Sequence, residues 1–320
     1  MTLKIAFLAY NLFQQLLEDT PMMTGCYDWI PCMKMTPLNW REIAPTRSRL
    51  EEFDVIQINA DPMDLRLISE VRSILGNSSS TKLVCNQDHA PELWDENIPY
   101  WSEYERAIRD SDHFFCTSDT AQSNLQLAVK EREIHLIPHP CEVEKLKHFA
   151  SFIHNEHCLF FWHRYENRMN IPYLATRDLP LITSVVGYQP EQNPRDKIFQ
   201  FTKHWNVIPT MPFQDFIKVI KEAKIGYDPF LSWSYGRTPV DCAALGLPLV
   251  CSAFNYSSRL LFPKTCVDPM DGISHFLLLK RLLDDEAFRE EVVSYAYDNV
   301  DYFNHKNSKE RYLAMLDSEK

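Results

Sequence analysis

Residues 234–250, SYGRTPVDCAALGLPLV, read in order as a turn, a helix and a buried strand. Thr238 suits an N-cap, Pro239 suits the first helical position, and Gly246 followed by Pro248 stops the helix before the apolar run LPLVCSAF. A first turn built this way points backbone N–H groups outward. With the helix dipole and Arg237 beside them, those donors favour an anion such as a pyrophosphate. Thr-Pro-Val-Asp is also a capping box, in which Asp241 folds back onto the backbone of Thr238 and no ligand is needed. The local pattern leaves both readings open, and the rest of the chain must weigh them.

At 320 residues with 45% hydrophobic content, the chain holds enough apolar material for two ordinary cores. Its 20 prolines and 12% aromatic residues describe a packed globular protein rather than a disordered one. With only 7 glycines, neither G-x-G-x-x-G nor G-x-x-x-x-G-K-[ST] can be written, which argues against an ordinary nicotinamide dehydrogenase or P-loop enzyme. The nine cysteines are scattered and never spaced C-x-x-C, so no disulfide framework or zinc knuckle is expected, and a reduced, cytoplasmic setting is. The opening KIAFLAYNLF is too short and poorly flanked for a signal peptide and reads as a first buried strand. No later run reaches the length of a transmembrane segment. The net charge of -11 gives no general footprint for nucleic acid or anionic membrane, and leaves only a local basic groove for either. No nucleophilic triad, metal cluster or glycosidase acid pair can be read from the residues.

Apolar runs alternate with helical segments through the first half. KIAFLAY, FDVIQINA, KLVCNQ, HFFCTS and IHLIPHP are separated by amphipathic stretches at 64–75, 99–110 and 119–131. This is the rhythm of a parallel α/β sheet. Residues 142–156 are charged and predict no strand. A second series, CLFFWH, PLITSVVGY, NVIPTM, KIGYDPF and LPLVCSA, follows with helices at 213–223 and 239–245. Beyond residue 270 the apolar spacing is helical, ending in a closing helix at 306–317. The expected fold class is α/β, with two Rossmann-like parallel-sheet domains, residues 1–148 and 149–305, and a C-terminal helix over 306–320. Ligands of such sheets sit beyond the carboxyl ends of the strands, so two facing sheets predict a ligand in the cleft between them.

In this order of motifs the chain resembles the GT-B glycosyltransferases, in particular the large retaining group known as glycosyltransferase family 4. That group's second domain carries a glutamate, a glycine-containing turn, a second glutamate and A-x-A-x-G-x-P-V-V, to which SYGRTPVDCAALGLPLV corresponds. DVIQINAD, KLVCNQDHAPE, SDHFFCTSD and IHLIPHPCEVEKL match further stations in sequence, the last being similar to a strand ending in I-P-N-G-V-D. NQDHAPE and INADP also resemble segments of bacteriophage DNA α-glucosyltransferases. There Asp88 and His89 match directly, and Gln87 stands in place of a histidine.

The resemblance implies a GT-B architecture, with an acceptor-side first domain and a nucleotide-sugar-binding second domain. It implies transfer from a nucleotide-diphosphate sugar donor to a hydroxyl acceptor, with retention and without an obligatory cofactor or metal. Asp88 and His89 take the catalytic position. The donor diphosphate falls to Ser234, Tyr235, Gly236, Arg237 and Thr238, with Arg164 and Arg168 of FWHRYENRMN as its cations, and Asp241 is placed to accept from the ribose hydroxyls. The acceptor reading stays divided between a hydroxymethylated pyrimidine in viral DNA and a polysaccharide, lipid-linked or protein hydroxyl.

The chain departs from the family at Trp233, which replaces the first glutamate, at Asp241, which shortens the second, and at AYNLFQQ, which lacks the glycine pair. These departures keep two rival readings alive, a GT-B-like binding module without catalysis and a sugar-nucleotide epimerase. Structural readings also stand beside the functional ones. Asp88-His89 is also a turn, Ser118-Asp119 an ordinary helix start, and His139, between two prolines, a hinge residue facing the cleft.

Overall fold

The computed structural model describes residues 3–10, 25–43, 45–60, 64–87, 98–151, 157–161, 170–186, 205–208 and 211–318. The chain forms two compact units. The first comprises Met1–Cys141, Trp233–Tyr235 and Phe303–Lys320, and the second Glu142–Ser232 and Gly236–Tyr302.

The first unit runs β1 (Ile5–Ala9), α1 (Trp29–Met33), β2 (Thr36–Asn39), α2 (Arg47–Leu50), β3 (Val55–Asn59), α3 (Leu65–Leu75), β4 (Lys82–Gln87), α4 (Ile98–Asp110), β5 (His113–Cys116), α5 (Asp119–Ala128) and β6 (Ile134–Leu136). The strands form one parallel sheet in the order β2-β1-β3-β4-β5-β6. Every residue of β1 and β3 is buried, as expected of parallel strands covered on both faces. On one face Leu8, Ile56, Ile58 and Leu83 pack with Leu67, Ile68 and Val71 of α3 and Tyr104 and Ile108 of α4. On the other, Phe7, Val84 and Phe115 meet Trp29 and the helix His305–Asp317. There the Tyr312 ring lies 5.2 Å from that of Trp29 and 6.0 Å from that of Phe115. The C-terminal helix thus completes the core of the first unit. β2 is absent from the sequence expectation because TPLN is short and contains Pro37. It is tolerated because β2 is an edge strand paired only with β1.

The second unit runs α6 (Val143–Lys147), β7 (His157–Phe161), α7 (Asn170–Thr176), β8 (Ile182–Val186), β9 (Trp205–Ile208), α8 (Phe213–Glu222), β10 (Ile225–Asp228), α9 (Arg237–Leu245), β11 (Leu249–Ser252), α10 (Tyr256–Leu261), β12 (Cys266–Val267), α11 (Gly272–Asp284) and α12 (Glu286–Asn299). The chain then returns to the first unit as α13 (His305–Asp317). Its strands also form one parallel six-stranded sheet, in the order β12-β11-β10-β7-β8-β9. The two-residue β12 carries too little pattern to be read from sequence. From β7 the chain builds outward through β8 and β9, then crosses back to place β10, β11 and β12 on the other side. The direction of winding therefore reverses between β7 and β10, and that switch point is where such sheets leave a crevice for a ligand.

β10 contributes a buried polar pair that gives the unit a pH-dependent stability. The Tyr227 hydroxyl and His275 Nδ1 are hydrogen-bonded at 2.5 Å, with the rings edge to face at 5.3 Å, and both residues are fully buried. Burial pulls the imidazole down to about 4, against the opposing pull of Asp268 and Asp271. In the unfolded chain the ring titrates near 6.5, so as pH falls the unfolded state takes its proton first. The contribution is complete above pH 6.5 and is lost progressively as pH drops toward 4. About 3 kcal/mol of stability is expected to disappear over that window. Urea unfolding at steps between pH 7 and 4 should show the loss, and His275→Gln should flatten it. An unchanged slope in that variant would assign the dependence to other groups.

Candidate functional site

β10 ends at Asp228, whose side chain is buried, and the chain then runs through a turn into α9. The helix begins at Arg237, with Gly236 as its N-cap at φ 80 and ψ 92, a residue with no side chain of its own to cap with. The sequence expectation is corrected here. Thr238 is the second helical residue and Pro239 the third, because Gly236 adopts a left-handed backbone that moves the helix start two residues earlier.

Tertiary approach also fixes that turn. A Cβ on Gly236 would sit 2.8 Å from both Asn255 Cβ and Ser257 Oγ, and the Ser257 hydroxyl donates to the Gly236 carbonyl. The far end of α9 follows the sequence reading. Gly246 takes φ 77 and ψ 20, its N–H returns to Ala243, and the Leu247 N–H bonds Cys242 O at 2.9 Å. Residues from Pro239 to Leu245 are all buried, whereas Gly236, Arg237 and Thr238 are half-buried. The first turn is thus the end of α9 that reaches the surface.

The capping box is also corrected. Asp241 does not fold back to Thr238, and its Oδ1 instead accepts from Arg237 Nε at 2.7 Å across one helical turn, with side-chain exposures of 4% and 16%. Burial pushes the Asp241 carboxyl up and the guanidinium opposes that shift. An i,i+4 ion pair so deep in the helix holds the Arg237 side chain against the first turn.

Ser234 and Tyr235, just before the turn, group with the first unit. The Tyr235 hydroxyl donates to the His139 carbonyl at 3.1 Å. Its ring stands edge-on to His139 at 5.4 Å and against Phe303 at 5.7 Å. The Tyr235 side chain is engaged in that packing, and His139 is fully buried. Ser118 caps α5, accepting from the Ala121 N–H at 3.3 Å, so Ser118-Asp119 is the helix start that its sequence also allows.

Asp88 and His89 follow β4 directly in sequence, and Arg164 and Arg168 follow β7. All four lie outside the described residues. β4 closes on Asn86 and Gln87, both fully buried, and Asn86 Nδ2 donates to Asn59 Oδ1, its register partner on β3, at 3.1 Å. Sequence reasoning passes over Asn255 and Ser257, which shape the turn from outside its own segment, and no local signal marks them. It also passes over Asp228, whose only signal is its place at the end of an apolar strand. Among the described residues no group of three or more His, Cys, Asp or Glu is placed to hold a metal ion, and no helix is long and apolar enough to cross a membrane.

No protein-family model matches the chain and no curated protein matches its sequence. Solved structures do match in fold. Sucrose-phosphate synthase from Thermosynechococcus elongatus superposes with a TM-score of 0.72 at 13% identity, covering 98% of both chains. Anabaena HepE in complex with UDP-glucose gives 0.70 at 13% identity, over 99% of this chain and 100% of that one. An alpha-glucosyltransferase in complex with UDP and a DNA containing an HMU base gives 0.60 at 13% identity, over 88% and 85%. With two parallel six-stranded sheets and this likeness over its whole length, the chain has the GT-B fold of these glycosyltransferases.

Proposed function

We propose that the chain is a glycosyltransferase that moves a sugar from a nucleoside diphosphate sugar to a hydroxyl acceptor, with the donor diphosphate at the first turn of α9. One observation carries this reading. The winding of the second unit's sheet reverses between β7 and β10, and β10 leads into a helix whose half-buried first turn has a glycine as its N-cap. First-turn N–H groups at such a place offer donors and a favourable dipole to an anion. Two solved structures of this fold hold UDP or UDP-glucose, which supports a nucleoside diphosphate sugar as donor.

In the proposed reaction, negative charge grows on the departing diphosphate. Arg164 and Arg168, in the segment after β7, join the α9 turn in neutralising it, so that no metal is required. We assign Asp241, 3% exposed, to holding Arg237 and the turn rather than to contacting the ribose. Asp88 and His89, after β4, position the acceptor hydroxyl and stabilise the oxocarbenium-like sugar. Retention and a reduced cytoplasmic setting are part of the same proposal, the latter supported by cysteines that are all free. Hydroxymethylated DNA is the second acceptor reading, favoured by the Asp88-His89 match. The charge of -11 works against it, because duplex binding draws on neutralised phosphates.

The test is a panel of nucleotide sugars, with and without EDTA, following released nucleoside diphosphate in the presence of sugar, lipid, protein and hydroxymethylated DNA acceptors. Acceptor-dependent release that survives EDTA is expected. Release without any acceptor would instead favour an epimerase or hydrolase, and donor binding without release would favour a binding module. Asp88→Ala and Arg164→Ala should each slow transfer by about a hundredfold or more without unfolding the chain. Unchanged rates in both would remove the proposed site.

A further inference from the structure

β12 is an edge strand of two residues, and Cys266 within it pairs in register with Cys251 of β11. Register partners in a parallel sheet point to the same face, and their strands run about 4.8 Å apart. That lies within the roughly 4.4–6.8 Å of Cα separation that a disulfide spans. Flanking bonds pin the pairing. The Cys251 N–H reaches Thr265 O at 3.0 Å, the Ala253 N–H reaches Val267 O at 2.7 Å, and Thr265 Oγ1 donates to Leu249 O. The Cys251 thiol itself donates to Thr265 O, beside Cys266 of the edge strand, at 4.0 Å.

Access separates this pair from the other cysteines. All nine are thiols, and only Cys26 and Cys266 are not buried. Cys85 and Cys116 also lie on neighbouring strands, but they are fully buried and out of register, Cys85 facing Phe114 and Cys116 facing Gln87. At Cys266 the neighbouring Cys251 thiol and the nearby Arg259 guanidinium pull the thiol below its ordinary value, whereas burial holds Cys251 well above. One partner is thus accessible and readily ionised, and the other is withheld behind it.

We propose that Cys266 and Cys251 form a redox-active dithiol that closes reversibly to an intramolecular disulfide when the protein meets a low-molecular-weight disulfide such as oxidised glutathione. The Cys266 thiolate attacks one glutathione sulfur, the glutathione S–S bond breaks, and one glutathione thiolate leaves. Cys251 gives its proton to solvent and attacks the Cys266 sulfur, the mixed disulfide breaks, and the second glutathione leaves. Two protein thiols are oxidised to one disulfide, and one glutathione disulfide is reduced to two glutathiones. The bond ties the edge strand to β11, which leads directly to Asn255 and its contact with Gly236.

The experiment exposes the folded full-length chain to oxidised glutathione, quenches in acid, alkylates in denaturant and maps the peptides. Alkylated thiols should fall from nine to seven, with a peptide joining Cys251 to Cys266 that dithiothreitol separates. Cys251→Ser should stop at a glutathione adduct on Cys266, and Cys266→Ser should abolish the reaction. Circular dichroism checks that both variants are folded, and the map of the unmodified chain decides if either is not. Nine thiols remaining, a lasting Cys266 adduct without the linked peptide, or linkage through another cysteine would each overturn the proposal.

Discussion

Gly236→Ala is expected to lower the free energy of unfolding by about 2–4 kcal/mol and to abolish donor binding. Two costs combine. At φ 80 an L side chain is strained by roughly 1 kcal/mol, and a Cβ held 2.8 Å from Asn255 Cβ and Ser257 Oγ forces overpacking worth about 1–3 kcal/mol. Asn255 and Ser257 are 1% and 0% exposed, so neither can swing into solvent to make room. Relief must come from the backbone at the start of α9, where the diphosphate is proposed to rest. Gly76→Ala is the control, since Gly76 also has positive φ, at 70, yet a Cβ there meets nothing within 4 Å. That variant should lose stability through backbone strain alone and keep its affinity for the nucleotide sugar. Urea unfolding and calorimetric titration of both proteins separate the two terms. Undiminished donor affinity in Gly236→Ala would place the diphosphate elsewhere.

The pattern of residues made most of the sheet architecture legible, because strands buried on both faces must be apolar nearly throughout. IAFLA, VIQIN and LVCS stand out for that reason, and the helices between them by their spacing. What escaped is what depends on partners distant in sequence. β2 exists because an edge position accepts Pro37, and β12 because β11 offers two residues of pairing. The segment 306–317 was readable as a helix, but nothing local says that Tyr312 will pack on Trp29 and Phe115. At the site the same division holds. The 234–250 segment announced a helix and its glycine stop, whereas the cap residue was set by Asn255 and Ser257 pressing on Gly236. Asp241 was read as a capping-box residue or a ribose acceptor, and the Arg237 partner it takes one helical turn away was not foreseen. Asp88, His89, Arg164 and Arg168 rest on resemblance and lie outside the described residues.

Arg237→Ala should cost about 3 kcal/mol, and the loss should itself depend on pH. In the folded chain the guanidinium lies 2.7 Å from a carboxylate that is almost wholly inside the protein. Removing the cation leaves that carboxylate without its charge partner, so desolvation, already the dominant influence on Asp241, raises its pKa further. A carboxyl raised above its unfolded value binds its proton more readily when folded. Its contribution is therefore fully present below the unfolded pKa near 3.8 and is lost as pH rises through the folded pKa. Arg237→Ala should be least damaging near pH 4 and progressively worse toward pH 7. Asp241→Asn removes the charge but keeps an amide oxygen to accept from Arg237, and should cost only about 1–2 kcal/mol. Combining the two changes should cost less than the sum of the single losses, because the double variant buries no unpaired carboxylate. Urea unfolding of the three proteins from pH 4 to 8 measures each term. Equal losses for Arg237→Ala at pH 4 and pH 7 would mean that another cation takes over Asp241. The pair would then not be what fixes the first turn of α9, and the loss of donor binding expected for Gly236→Ala would have to come from the turn's backbone alone.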